Sequence, residues 1–503
     1  MAREESRRGA GVAMLIILAI AGGLRLYHLG DQCFWVDELL TMEVLNGRGH
    51  QDLFLPRNIL MQYPPSLSDP KESAPWWRIW NGMEEESHPP LYFILCRWWR
   101  DAFGTSESAI RSLSVVFSVA SIALLYRVVR DLSGKWPAVW AALLMALAAP
   151  QVAYAQEARD YSMLTAVSLL AAMILVRIEQ RGITGARWIG LTLVLLATAL
   201  THYFTFGVLV ALAVYTLLAL RGRRRLAVVA AFGAAAGLFV LSWGKNLIEQ
   251  RKMLLHDFPM YANPQGHTQA TLLRAAALPL RHLIGLNLGT PASIAAAIGL
   301  MMMAGLTIFF RRRDLLLWWL WLIGAIGTVA IIDLARTAEQ LTFVKYTFAA
   351  APAVCAIAAA CVPSKFRRLR QIVPLMLVGL ELYFLPGAYV EWKGDWRGAA
   401  RTAIAVTPPG DPVVIAGNGT GRPTLSWLYL GMNQYVNPWP RTLAISDREP
   451  SPQLLKELQK YPRLTLVTDC VNVQPGDIVP GFAPASQPDI FPNVGIVWPL
   501  IRK

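Results

Sequence analysis

Apolar residues in this chain run in long blocks, not in the alternation of a half-buried strand or the narrow stripe of a soluble helix. Eleven blocks recur from the N-terminus to about residue 386, at 9–28, 110–129, 137–153, 162–177, 188–201, 204–220, 226–248, 291–310, 315–334, 343–362 and 372–386. An α-helix needs about 20 residues to cross a hydrocarbon core of ~30 Å. The pattern therefore predicts a polytopic α-helical membrane protein, with about 11 transmembrane helices in residues 1–390. The first block is too long, and lacks the small-residue cleavage site, for a removable signal peptide, so it is read as a retained helix.

Composition agrees: the 503 residues are 55% hydrophobic and 16% charged, with a mean hydropathy of +0.40, more apolar surface than a soluble core buries. A net charge of +14 would suggest a nucleic-acid partner in a soluble protein, but here position explains it. With Arg3, Arg7 and Arg8 on the cytoplasmic side, every second connection is basic: Arg127, Arg130 and Lys135; Arg177, Arg181 and Arg187; Arg221 and Arg223 to Arg225; Arg311 to Arg313; Lys365, Arg367, Arg368 and Arg370. Lys and Arg mark cytoplasmic loops, so nucleic acid is not indicated. The other connections, 29–107, 151–161, 201–203, 249–290 and 335–340, then face the opposite side, and an odd number of spans puts the C-terminal tail there too.

The connection at 29–107 is too long for a mere link, and long loops carry function. Its end, PLYFILCRWWRD at 90–101, mixes aromatics and Arg at helical spacing and reads as an amphipathic interfacial helix. A short transmembrane helix there would reverse every later loop. Residues 391–503 change character to a small extracytoplasmic α/β domain, with helices expected at 395–406, 424–430 and 452–461 and strands at 413–416, 464–468 and 494–500. The glycines of GNGTG at 417–421 follow a strand but fit neither the dinucleotide nor the P-loop spacing, and read as a loop. Five cysteines show no CxxC and no metal spacing; Cys33 with Cys96 is the one conceivable bridge.

Candidate chemistry lies beside the membrane on the non-cytoplasmic side. Asp37-Glu38 follows aromatic residues in CFWVDE, where partial desolvation would raise a carboxylate toward the range of a useful general base; the competing reading is a solvated helix N-terminus. His88 precedes two prolines that suit a first helical turn. Glu157 with Arg159, and His202 with Tyr203, sit at span ends, where either pair also reads as an interfacial anchor. Lys345, beside Tyr346, lies just inside a span and calls for an anionic partner, which a lipid phosphate would provide. The acidic run Glu84–Glu86 reads as a solvated face or as a divalent cation site.

Together these motifs resemble the glycosyltransferase-C superfamily, specifically the protein O-mannosyltransferase and aminoarabinose transferase relatives. The resemblance is carried in order by Arg25-Leu26 through WVDE at 35–38, HPPLYF at 88–93, GTSESAIRSLS at 104–114, YAQEARDYS at 154–162, THYF at 201–204, VKYTFAAAP at 344–352, and DWRGAA at 395–400 with PPGDPVVI at 408–415. It implies an inverting hexosyl or pentosyl transferase that takes its sugar from a polyprenyl phosphate and passes it to a lipid, glycan or protein acceptor at the extracytoplasmic face of the membrane; the Ala- and Arg-rich composition separately points to a bacterial cytoplasmic membrane. It also implies Asp37 as catalytic base with Glu38 beside it, Arg159 and Lys345 for the phosphate, and His88, Glu157, His202, Tyr203 and Tyr346 as orienting or sugar-contacting groups. A divalent cation is a further possibility that some relatives raise. Two features depart from the relatives: there is no β-trefoil region, and Lys345 stands where Arg is usual.

Two rival functions remain at this level. A transporter or flippase places ionisable residues near mid-membrane and shows internal repeats, whereas Asp333, Lys345 and Glu381 are the few charges in or near spans and no repeat is visible. A receptor-like scaffold leaves Asp37-Glu38 and the HPP motif without a reason.

Overall fold

Within a bilayer each backbone N–H and C=O must find its partner inside the chain, and the apolar blocks meet that demand as helices. The computed structural model describes residues 2–257, 267–336, 338–366, 368–417, 423–470 and 473–503. It contains two compact units, Met1–Leu29 with Ser87–Tyr92 and Ala109–Val390, and Gly30–Glu86 with Phe93–Ser108 and Glu391–Lys503.

Among the described residues, six helices are long and apolar enough to cross a membrane: Glu107–Ser133, Tyr161–Arg181, Gly222–Lys252, Thr290–Phe309, Arg313–Arg336 and Leu369–Tyr389. A seventh candidate is bent by 63° between Lys135–Leu147 and Ala149–Gln156, where Pro150 occupies the start of the second piece. Four shorter apolar helices, Gly11–Leu26, Gly185–Ala199, Thr205–Ala219 and Val344–Ala360, fall on the remaining expected spans. Gly11–Leu26 is part of the 25-residue helix Ala2–Leu26, whereas Gly185–Ala199 and Thr205–Ala219 have 15 residues each and are only about 22 Å long. The protein is an integral membrane protein of polytopic α-helical class.

Small residues let two of these helices meet at the backbone. Gly207 in Thr205–Ala219 and Gly324 in Leu316–Arg336 leave each other no room for a side chain: a Cβ on Gly207 would lie 2.1 Å from the Gly324 carbonyl oxygen. Arg25 is fully buried and ties the first helix to two others. Its guanidinium donates to Ser118 Oγ at 2.7 Å, to the Ala146 carbonyl at 3.0 Å and to the Met145 carbonyl at 3.1 Å. Asp333 spends its carboxylate on the backbone N–H groups of Gln340 and Leu341, at 3.0 and 2.9 Å. That accounts for one of the few charges in the spans by local capping.

The stretch expected as an outer loop at 249–290 is largely helical where it is described. The Gly222–Asp257 helix runs on past the expected span, and a second helix, His267–Ile284, buries Leu278, Leu283 and Ile284. Its apolar face was hidden in the sequence by Gln269, Arg274, Arg281 and His282. The middle of that stretch, 258–266, lies outside the described residues.

The second unit is built on a seven-stranded sheet: β1 Leu60–Met61, β2 Val413–Gly417, β3 Leu443–Asp447, β4 Arg463–Thr468, β5 Phe482–Pro484, β6 Asp489–Phe491 and β7 Gly495–Arg502. The order is β1-β3-β2-β4-β7-β5, with β6 also on β7. β2 is parallel to both β3 and β4, with Val413 opposite Leu443 and Thr465; all five of its residues are buried, as expected of a strand covered on both faces. Helices Trp396–Val406, Pro423–Tyr435 and Pro452–Leu458 accompany the parallel strands, so the α/β reading holds. Sequence patterning missed β3, β5 and β6, which are five, three and three residues long, and β1, which comes from the 29–107 connection and pairs Leu60 with Ala444. Asn418 to Gly421 of the glycine-rich stretch lie outside the described residues.

The Leu91–Phe103 helix is not among the helices apolar enough to span. Arg97 donates to the Leu45 and Ala74 carbonyls at 2.8 and 3.0 Å, and Arg100 to Asn46 Oδ1 at 2.7 Å. These bonds secure the connection against the amphipathic helix. Cys33 and Cys96 are both free and buried, so the conceivable bridge between them is not formed.

Candidate functional site

The acid pair opens the Val36–Val44 helix of the second unit, where carboxylates suit the positive end of the helix dipole. The two acids differ in surroundings. Glu38 is fully buried; its Oε2 accepts the Trp35 backbone N–H at 3.2 Å and a hydrogen bond from Lys393 Nζ at 2.9 Å. Asp37 is partly exposed, and its backbone carbonyl accepts the Thr41 hydroxyl at 3.0 Å. The preceding aromatics are held by the same unit. The Phe34 N–H donates to Tyr435 Oη at 2.7 Å, and the rings of Trp35 and Trp392 meet edge to face at 5.1 Å. Arg397 of the DWRGAA motif pairs with Glu107 of the GTSESAIRSLS motif, and Gln32 accepts the N–H groups of Trp392 and Lys393, each at 3.3 Å. Motifs far apart in the chain thus meet within this unit.

In the first unit the prolines after His88 lead into the Leu91–Phe103 helix, and the Leu91 N–H donates to the Leu200 carbonyl at 3.1 Å. That bond holds the HPP turn against the end of the Gly185–Ala199 helix, just before the THYF motif. His88 and His202 meet edge to face at 4.8 Å. Buried Arg159 brings one guanidinium nitrogen within 3.2 Å of both ring nitrogens of His88. Its own carbonyl accepts the Ser114 hydroxyl at 3.1 Å, which fixes the YAQEARDYS turn to the Glu107–Ser133 helix. Aromatic rings wall this polar group: His202 stacks on Phe204 at 5.1 Å, Phe204 meets Tyr346 at 5.6 Å, and Tyr161 meets Phe348 at 6.0 Å.

Of the expected residues, His88, Arg159 and His202 come together, and Tyr346 joins them through Phe204. Tyr203 turns to Gln250 and to the Trp243 indole, which donates to its hydroxyl at 2.9 Å; Gln250 in turn donates to the His88 carbonyl at 3.2 Å. Tyr203 therefore supports the HPP turn from behind. Glu157 is buried, and Lys345 is half-buried with its Nζ 5.3 Å from the Tyr346 ring centre. Glu157 lies in the turn before the Tyr161–Arg181 helix, and Lys345 in a 3₁₀ segment. Val344–Ala350 is a 3₁₀ run with Thr347 off helical angles, and the Trp321 indole donates to the Ala349 carbonyl there at 2.6 Å.

Asp160 was not singled out from the sequence, although it sits in YAQEARDYS. It is buried, and one of its carboxylate oxygens lies with a ring nitrogen each of His88 and His202 within a mutual 4.8 Å. That donor set suits a divalent cation. The fixed charge of Arg159 beside it means that such an ion gains from an anion bound at the same time. The Glu84–Glu86 run divides instead: Glu84 and Glu85 are exposed, whereas Glu86 is buried.

Residues 87–243 match the family model of dolichyl-phosphate-mannose-protein mannosyltransferase. Comparison with curated protein sequences gives no match. Among solved structures the chain is similar to ArnT from Cupriavidus metallidurans in the apo state, with a TM-score of 0.57 and 13% identity over 98% of this chain and 98% of that one. ArnT bound to undecaprenyl phosphate gives 0.55 and 13% over 97% of each. The archaeal oligosaccharyltransferase AglB from Archaeoglobus fulgidus, in complex with an inhibitory peptide and a dolichol-phosphate, gives 0.50 and 11% over 92% of this chain and 70% of that one. The likeness to ArnT runs through both chains from end to end.

Proposed function

Because the chain has the glycosyltransferase-C fold, we propose that it is an inverting glycosyltransferase. It moves a sugar from a polyprenyl-phosphate donor to a lipid, glycan or protein acceptor at the extracytoplasmic face of a bacterial cytoplasmic membrane. The observation that carries this reading is the buried Arg159 against His88 and His202, inside the stretch that matches a family acting on a lipid-phosphate sugar. A buried guanidinium with aromatic walls is a fitting receiver for a lipid phosphate, and ArnT has been solved with undecaprenyl phosphate bound.

In the proposed reaction the acceptor hydroxyl attacks the anomeric carbon from the face opposite the phosphate. The C–O bond to the phosphate breaks with its electron pair leaving on the polyprenyl phosphate, and Asp37 takes the hydroxyl proton. Asp37 suits the role better than Glu38 because it is partly exposed, while Glu38 is committed to Lys393 and the Trp35 N–H. Glu38 thereby acts as a positioning residue that sets the first turn carrying Asp37. Arg159 and Lys345 stabilise the departing phosphate, His88, Glu157, His202 and Tyr346 orient or contact sugar or phosphate, and Tyr203 supports the HPP turn through Gln250.

The test is transfer from a panel of radiolabelled polyprenyl-phosphate sugars in membranes carrying wild type or Asp37→Asn at matched expression. Turnover that falls by about 10²-fold or more in the variant, the low end for a positioned base, supports the assignment. Equal turnover removes Asp37 from the mechanism, and no turnover of any donor returns the transporter reading.

A further inference from the structure

A second group of ionisable side chains converges in the unit that holds the sheet, and Glu86 of the acidic run Glu84–Glu86 belongs to it. Glu43 stands in the last turn of the Val36–Val44 helix, His50 and Asp52 flank the start of the 3₁₀ turn Gln51–Phe54, and Glu86 closes the group. All four are buried. His50 Nδ1 lies 3.4 Å from Glu43 Oε2 and 3.7 Å from Asp52 Oδ1, while its Nε2 lies 3.3 Å from Glu86 Oε2. The remaining oxygen of Glu43 accepts the Asp52 backbone N–H at 2.8 Å, which fixes the carboxylate in place.

Two independent observations single this group out. The ligating atoms of Glu43, His50 and Asp52 all lie within 4.8 Å of one another. Glu43 Oε2 and Asp52 Oδ1, the oxygens that face His50 Nδ1, are buried and receive no hydrogen bond among the described residues. Three carboxylates around one imidazole carry net negative charge even with the imidazole protonated, and a buried excess of that kind needs a counter-charge.

We propose that Glu43, His50 and Asp52 bind one divalent transition-metal ion of the zinc class, and that Glu86 orients His50 through its other ring nitrogen. Ligands at about 2.1 Å from an ion stand roughly 3.4 Å from each other in a tetrahedral arrangement, close to the spacing between His50 Nδ1 and the two carboxylates. A ligating histidine commonly gives its second N–H to a carboxylate, and Glu86 is in that position. The imidazole favours zinc-like ions over magnesium or calcium, which prefer all-oxygen sites. The ion would pin the last turn of the helix whose first turn carries Asp37 and Glu38, and its role is structural. It does not depend on the transfer reaction, because metal content reads it directly.

The full-length protein is purified in detergent, loaded with zinc alone and dialysed, and its metal is counted by mass spectrometry for wild type, His50→Asn and His202→Asn. The expected result is about one tightly held zinc per chain in wild type and His202→Asn and none in His50→Asn. A chelator should also lower the wild-type melting temperature by several degrees and zinc restore it. Wild type that retains no zinc overturns the proposal, as does zinc lost from His202→Asn but kept by His50→Asn. Should His50→Asn fail to fold, Glu43→Gln replaces it: zinc lost from that variant supports the site, and zinc kept by it overturns the site.

Discussion

Lys393 Nζ and Glu38 Oε2 form an ion pair of 2.9 Å between two buried side chains 355 positions apart. The pair joins the start of the C-terminal residues to the helix that opens with Asp37. Removing one member of such a pair leaves a buried charge without its counter-ion, which costs about 3–5 kcal/mol. Lys393→Met is therefore expected to lower the thermal stability of the detergent-solubilised protein sharply. The double change Lys393→Met with Glu38→Gln should recover much of that loss; a double variant no more stable than the single one would contradict the pairing.

Gly207 and Gly324 are predicted to be intolerant of the smallest addition. A Cβ on either meets the carbonyl oxygen of the other, at 2.1 and 2.2 Å, whereas a Cβ on Gly327 in the same helix as Gly324 meets nothing within 4 Å. Overpacking costs about 1–3 kcal/mol and sometimes more. Gly207→Ala and Gly324→Ala should reduce melting temperature and yield, and Gly327→Ala should not. Equal behaviour of the three would refute this close approach.

Arg159→Ala is expected to lower kcat/KM for the lipid donor by about 10²- to 10³-fold, the effect of losing one donor to a developing anion. Arg159→Lys should regain only part of this, because an ammonium lacks the planar fork that binds phosphate bidentately. Full activity in Arg159→Ala would move the phosphate site elsewhere.

The cysteines are all free and buried, and burial pushes the Cys33 thiol above its ordinary range. The thiolate is the reactive form, so a maleimide at pH 7 should label neither Cys33 nor Cys96 in the folded protein. Both should react after denaturation without reductant. A requirement for reductant would instead reveal a bridge.

What the sequence determined by itself is what the bilayer and the local backbone dictate. Eleven apolar blocks were legible because a membrane helix must be apolar over its own contiguous length, and the strand Val413–Gly417 because a parallel strand buried on both faces is largely apolar. The motifs that carry His88, Arg159 and His202 were likewise visible as short runs of residues. The tertiary structure alone decided which side chains meet. It put Asp160 with His88 and His202, committed Glu38 to Lys393, and paired Leu60 of the first connection with Ala444 of the C-terminal sheet. It also gathered Glu43, His50, Asp52 and Glu86 into one buried group. Hydrophobic periodicity reports the environment of a segment through neighbours a few residues away. Ion pairs, ligand sets and edge-strand pairings are chosen by geometry between segments brought together only by folding, many of them hundreds of residues apart, and no local pattern encodes them.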